Sequence, residues 1–292
     1  MFAYGRSPWQ LAGDSGTGTL CGVSRLSLEQ IVDLDRYPIH ELDGPEGQAL
    51  VARARTALHA VGACDLPGFL RPAAITAAVE SALSVRAKAY RTEQTHDIEF
   101  SGLAPESLAA DDPRRTRIRS GKEGTALDDI PADSPVRTAY ESDELTAFVG
   151  AALEIDPIYR SEDPLGALNY MYYAPGDELG WHFDGADFVV TLLLQGSEAG
   201  GAFEFAPMLR SADDRNDEGV RALLAGTSDR VQTMSGEPGT LALFRGHWSP
   251  HRVTPVEGSQ TRVNAVLSYA RAPGHRLGAE TYRLFYGRIP VA

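Results

Sequence analysis

His182-Phe183-Asp184 sets an imidazole and a carboxylate two residues apart. A second imidazole follows 67 residues after the aspartate at His251, and a guanidinium comes eleven residues later at Arg262. In an extended segment, residues two apart point to the same side, so His182 and Asp184 can ligate one small ion while Phe183 turns into packing. Two neutral imidazoles and one carboxylate make a facial triad with open coordination positions, a donor set suited to Fe(II) that must also take a chelating co-substrate and O2. Arg262 offers what a dicarboxylate co-substrate needs, a permanently charged fork able to grip a carboxylate through two parallel hydrogen bonds. A His-x-Asp match alone arises by chance about half the time in a chain of ordinary composition. The order of the pieces and the strands around them carry the reading.

Those strands can be read from the sequence. Phe188 to Gln195 is apolar and β-branched throughout, which predicts a strand buried on both faces. Gly200-Gly201 turns into Ala202 to Phe205 as a hairpin partner, Pro238-Gly239 leads a strand ending at Phe244, and His251 to Val253 follows. After a turn at Glu257 to Gln260, Thr261 to Tyr269 reads as a last long strand. A ligand set spread over short strands and turns predicts a β-barrel or sandwich with the metal in its mouth. On the last strand Arg262 shares a face with Asn264 and Val266, so Asn264 is a candidate pocket contact. Thr191 and Tyr172 are candidate co-substrate contacts, and Trp181, Asp187 and Arg119 are candidate substrate contacts. His40, His59, His96 and His275 read as ordinary surface or core histidines, while His247, four residues before His251, stays open.

The stretch from Leu168 to Tyr269 resembles the Fe(II)/2-oxoglutarate-dependent dioxygenase superfamily. The resemblance is carried by Gly176-Asp177-Glu178-Leu179-Gly180-Trp181-His182-Phe183-Asp184, Glu198-Ala199-Gly200-Gly201, His251-Arg252-Val253-Thr254-Pro255-Val256 and Arg262. Within it the chain is similar to a bacterial branch of free-amino-acid hydroxylases and lysine halogenases, which Gly62 to Leu70 also fits. The resemblance implies an α+β protein with a mainly β core, a double-stranded β-helix (jelly-roll, cupin-like) braced by N-terminal helices. It implies Fe(II) on His182, Asp184 and His251, 2-oxoglutarate on Arg262, and O2 as the other co-substrate. In the halogenases of this branch a glycine replaces the carboxylate ligand and leaves a position for chloride. Asp184 fills that position here, so the expectation is hydroxylation of an unactivated C–H bond, with desaturation or cyclisation open to the same hydrogen abstraction. The implied substrate is small and polar, a free amino acid or derivative. A larger natural-product intermediate is the alternative, and a non-oxidative cupin-like isomerase or ligand-binding protein is the rival class, one with no evident need for Arg262.

Composition sets outer limits. A chain of 292 residues can bury one sizeable core. The formal charge of −13 argues against a nucleic-acid backbone as partner, which would need a basic patch. Two cysteines, Cys21 and Cys64, give neither a disulfide framework nor a zinc pattern. No apolar run reaches about 18 residues, and the first 24 residues lack the pattern of a signal peptide, so the expectation is a cytoplasmic protein with no membrane partner. The oligomeric state is not set by the sequence.

Along the chain, residues 1–25 read as a loosely ordered arm and 26–292 as a single oxygenase domain, with helical support over about 46–155 and the jelly-roll core over about 165–272. Helices are expected over Glu46 to Val61, from Pro72 with Ile75, Val79, Ala82, Leu83 and Tyr90 on its apolar face, and around Leu145 to Leu153. The cationic run Asp111 to Arg119 and the loop Lys122 to Asp129 are candidates for a lid, and the 210–230 insertion, with a short helix at Glu218 to Leu224, for a roof. The terminal Tyr282 to Arg288 segment either docks on the barrel or closes the pocket.

Overall fold

A computed structural model describes residues 25–102 and 107–290. The arm read at residues 1–25 lies, but for Arg25, outside the described residues, as does Cys21. The core is one antiparallel sheet in the order Ala63–Leu66, Leu241–Phe244, Val189–Gln195, Arg262–Leu267, Leu168–Tyr173, Ile118–Thr125, Glu178–His182, His251–Val253, Phe203–Phe205 and Gln232–Thr233, with Tyr90–His96 paired to Ile118–Thr125. It curls strongly. Phe244 and Phe203 lie near opposite ends of this order, yet their rings are 5.3 Å apart. This is the jelly-roll expected from the resemblance, and the convex side carries the helices.

Alternation explains the two faces. Along Val189–Gln195, Val190, Leu192 and Leu194 join the helix-side core, while Val189 and Thr191 line the concave cavity. Along Arg262–Leu267, Val263, Ala265 and Leu267 join that core, while Arg262, Asn264 and Val266 face the cavity. A period of two therefore divides each strand between folding and chemistry. Pro45–Val61, Pro72–Val85, Pro135–Glu141 and Asp143–Leu153 cover the outer face. Three of these four start on proline, whose missing N–H costs nothing in the first turn. Gly62 ends the first of them in a left-handed conformation (φ +73°).

Several expectations change. The second helix buries Ala74, Ala78, Ala82 and Val85, leaving Leu83 exposed, and Tyr90 starts a strand instead. Small residues on that face let the helix approach the sheet closely, a benefit that hydrophobic size does not signal. The 46–155 region is not helical support alone: it contributes Ala63–Leu66, Tyr90–His96 and Ile118–Thr125 to the sheet, the last two with polar residues at buried positions such as Thr92, His96 and Ser120. Lys122 thus sits on a central strand and not in a lid loop. Phe203–Phe205 pairs with His251–Val253 and Gln232–Thr233, not as a hairpin with the strand before it. The 210–230 segment does not roof the cavity. Its helix, Asp217–Leu224, presses Val220 and Leu223 onto Trp181 and Phe183, behind the metal motif.

Candidate active site

His182 closes the strand Glu178–His182, and His251 opens the neighbouring strand His251–Val253 directly opposite it. Asp184 follows two residues past the strand end and is fixed by its N–H donating to the Gly246 carbonyl at 3.1 Å. The ligand atoms of His182, Asp184 and His251 all lie within 4.8 Å of one another, with Asp184 Oδ1 3.5 Å from His182 Nε2 and Oδ2 3.6 Å from His251 Nε2.

The tautomers follow from the partners. His182 Nδ1 lies 2.8 Å from the Gly180 carbonyl and His251 Nδ1 3.2 Å from the Ser249 carbonyl. A carbonyl only accepts, so both Nδ1 atoms carry the proton and both Nε2 atoms present a lone pair. Burial pushes His251 down to about 4, in keeping with a neutral ring. Asp184 Oδ2 is buried and receives no hydrogen bond from the described residues. Three lone-pair donors converging without a proton among them repel one another unless a cation joins them. The donor set, its convergence and its orphaned oxygen fit a divalent metal of the Fe(II) type.

The cavity beside this triad measures about 230 Å³. Arg262, Thr191 and Asn264 line it, with Lys122, Met171, Phe203, Phe285 and Tyr286 among the other wall residues. Arg262 is only 6 % exposed, and no carboxylate of the described residues pairs with it. The Tyr173 ring lies 5.5 Å from its guanidinium carbon, and burial lowers its pKa from the ordinary value. An uncompensated buried charge costs several kcal/mol in principle, a cost that an anion beside it would offset.

The sequence profile of the halogenase D family matches residues 126–281, just over half of the chain, and spans the triad and Arg262. This chain belongs to the halogenase D family. As a member it is an enzyme of the Fe(II)/2-oxoglutarate-dependent oxygenase superfamily. No curated protein matches this halogenase D member in sequence. Among solved structures it is similar to the non-heme α-ketoglutarate-dependent epimerase SnoN from nogalamycin biosynthesis (TM-score 0.51, 12% identity, 76% of this chain and 83% of that one). It is similar also to the carbocyclase SnoK from the same biosynthesis (0.51, 12%, 74% and 82%) and to AviO1 from Streptomyces viridochromogenes Tue57 (0.50, 17%, 75% and 94%). SnoN has been crystallised with Fe3+, α-ketoglutarate and nogalamycin RO. At these identities the likeness is one of fold.

Four residues singled out in the sequence lie away from the cavity of this halogenase D member. Tyr172 points to the helix side, where its hydroxyl donates to the Ala82 carbonyl at 2.6 Å and accepts from Thr125 at 3.2 Å; its neighbour Met171 holds the cavity-facing position. Trp181 packs with Phe183 and Leu209 under the Arg252 guanidinium, since adjacent strand residues face opposite ways and His182 takes the inner side. Asp187 is an exposed partner of Arg271 at 3.0 Å, and Arg119 is held between Glu93 and Glu178 at 3.1 Å each.

Other residues enter that the sequence did not single out for these places. His96 donates from Nδ1 to the Asp97 carbonyl at 2.7 Å and accepts the Ser120 hydroxyl at Nε2 at 2.7 Å. Ser120 Oγ in turn accepts the Gly180 N–H at 2.9 Å, so the chain of bonds ends on the residue whose carbonyl orients His182. His247, left open by sequence, sends Nδ1 to the Asp184 carbonyl at 3.1 Å and braces the same loop. Phe100, in a left-handed conformation (φ +56°), lies 4.8 Å from the His182 ring and 6.4 Å from that of Phe285. The C-terminal helix Ala279–Tyr286 thereby forms one wall of the cavity, the closing role considered for it in the sequence.

Proposed function

We propose that this protein hydroxylates an unactivated C–H bond of a small polar substrate, a free amino acid or a close derivative, using Fe(II), 2-oxoglutarate and O2. His182, Asp184 and His251 hold the metal, and Arg262 holds the co-substrate, with Thr191 on the wall of the same cavity. The observation that carries this reading is Arg262: a buried guanidinium with no carboxylate partner among the described residues, opening into the same cavity as three converging metal donors. A metal-binding jelly-roll without oxidation has no use for it.

Iron with 2-oxoglutarate and O2 supplies the oxidant that removes a hydrogen atom from the substrate carbon. The chain's own residues do the rest. Arg262 fixes the far carboxylate of the co-substrate in two directions at once. The Gly180 and Ser249 carbonyls keep both imidazoles in the ligating tautomer. Phe203 and Phe285 give the cavity an apolar wall, and Phe100 packs against the His182 ring. Asp184 occupies the coordination position that chloride takes in the halogenases this chain resembles, which favours hydroxylation.

Anaerobic titration of the protein with Fe(II) and 2-oxoglutarate tests the reading. A charge-transfer band that grows only with both present is the expected result. Its absence in the intact protein overturns the assignment.

A further inference from the structure

Lys122 is the second cation in the cavity, and the proposed chemistry leaves it unused. It sits on the strand Ile118–Thr125, between Gly121 and Glu123. Glu123 turns outward to Arg86 at 2.9 Å, so Lys122 projects to the concave side, where it lines the same cavity as the triad. Its ammonium stands 5.8 Å from the centroid of the Phe285 ring. The other cations of this sheet region have acids: Arg91 has Asp177, Arg119 has Glu93 and Glu178, and Arg86 has Glu123. Lys122 pairs with no carboxylate of the described residues.

The charges in the cavity then decide the kind of molecule that fits. The two positive charges of the ion are matched by the two carboxylates of the co-substrate, and Asp184 offsets Arg262. One positive charge remains, that of Lys122. Among the described residues lining the cavity Asp184 is the one carboxylate, and the metal engages it, so nothing there receives a cationic side chain. Much of the rest of the wall is apolar, with Met171, Leu179, Val253 and Phe285 beside the uncharged polar Asn264 and Thr191. A low-dielectric pocket with one spare cation takes a single anionic group on an uncharged body.

We propose that Lys122 binds the carboxylate of the substrate, and that the substrate is a carboxylic acid with an uncharged body, such as the N-acyl form of a neutral-side-chain amino acid. This rests on the oxygenase reading above and narrows it: lysine, ornithine and arginine are disfavoured.

The test uses wild type, Lys122→Met and Lys122→Arg, each loaded anaerobically with Fe(II) and 2-oxoglutarate. The chelate band is read first. Succinate formation is then measured on admitting O2 with each of the common free amino acids, their N-acetyl forms and their carboxamides. N-acetyl amino acids with neutral side chains should stimulate succinate formation, and the matched carboxamides should be weaker by about tenfold or more, the worth of a hydrogen bond to a charged group. Lys122→Met should bind 2-oxoglutarate within about threefold of wild type, the ordinary range for a substitution outside that contact. It should lose the preference for acid over amide, and Lys122→Arg should keep it. The acid-to-amide comparison in wild type stands even if a variant fails to fold.

Equal stimulation by acids and amides overturns the proposal, as does a stronger response to lysine, ornithine or arginine, or no response to any member of the panel. Lys122→Met losing 2-oxoglutarate affinity as an Arg262 variant does also overturns it, moving Lys122 to the co-substrate. A wild-type protein that forms no chelate band at all defeats the oxygenase reading instead.

Discussion

Gly246 backs onto the Asp184 carboxylate so closely that a Cβ at residue 246 would overlap Oδ2. The Gly246 carbonyl also accepts the Asp184 N–H, so one residue holds both the backbone and the side chain of the proposed carboxylate ligand. Gly246→Ala should therefore displace Asp184 while leaving the sheet intact. Fe(II) affinity should fall about 10–100-fold, the usual cost of disturbing a residue that orients a ligand. Metal titration beside a thermal melt checks this. An unchanged affinity in a folded variant would show that the contact does not position Asp184.

Arg262→Leu separates the two halves of the cofactor site. The affinity for 2-oxoglutarate should drop by about thirtyfold or more, because removing one member of a buried charged pair costs about 2–5 kcal/mol. Fe(II) affinity should stay near that of wild type. The ligand-free variant should be no less stable than ligand-free wild type, since the unpaired buried charge goes while apolar volume is largely kept. Saturating 2-oxoglutarate should then raise the melting temperature of the metal-loaded wild type alone. A variant melting well below wild type without ligand would mean that Arg262 serves the fold.

Tyr172→Phe should leave 2-oxoglutarate binding unchanged and lower stability by about 1 kcal/mol, the worth of the lost hydrogen bonds on the helix side. Denaturant unfolding and the chelate titration, run on the same protein, decide between the two roles that sequence allowed this residue.

Asp184→Gly would place two glycines face to face, residues 184 and 246, and open a void beside the two imidazoles. Fe(II) affinity should fall by more than the about 10–100-fold cost of losing an outer partner. Added chloride should recover part of it in the variant and none in the wild type. Fe(II) titrations with and without chloride make the comparison, and a variant indifferent to chloride counts against the void as an anion position.

Much of the site is legible in the sequence because its parts are strand-borne at short range. His182 and Asp184 lie two apart, and Arg262, Asn264 and Val266 share one parity, so alternation alone groups them. Tyr172 shows where that reasoning fails. Leu168–Tyr173 is buried on both faces, with Tyr170 and Tyr172 fully enclosed, and an apolar run without polar alternation does not reveal its own parity. The places of Lys122 and His96 were out of reach for a different reason. Each belongs to an element far from the triad in sequence, and topology alone brings Ile118–Thr125 between Leu168–Tyr173 and Glu178–His182. The second helix misled in part through size: Ala82, Ile75 and Val79 do pack on the core, but Ala74 and Ala78 were passed over and the larger Leu83 is exposed.

The two-residue alternation of the central strands has a consequence for how this enzyme can diverge. On Val189–Gln195 and Arg262–Leu267, neighbouring codons answer to different demands, one to the helix-side core and the next to the cavity. Selection for a new substrate can therefore rewrite every second position of a strand while the intervening positions stay still. The scaffold and the specificity are interleaved in the gene yet separable in their effects, so a library confined to residues 191, 264 and 266 would explore chemistry with little loss of folded protein.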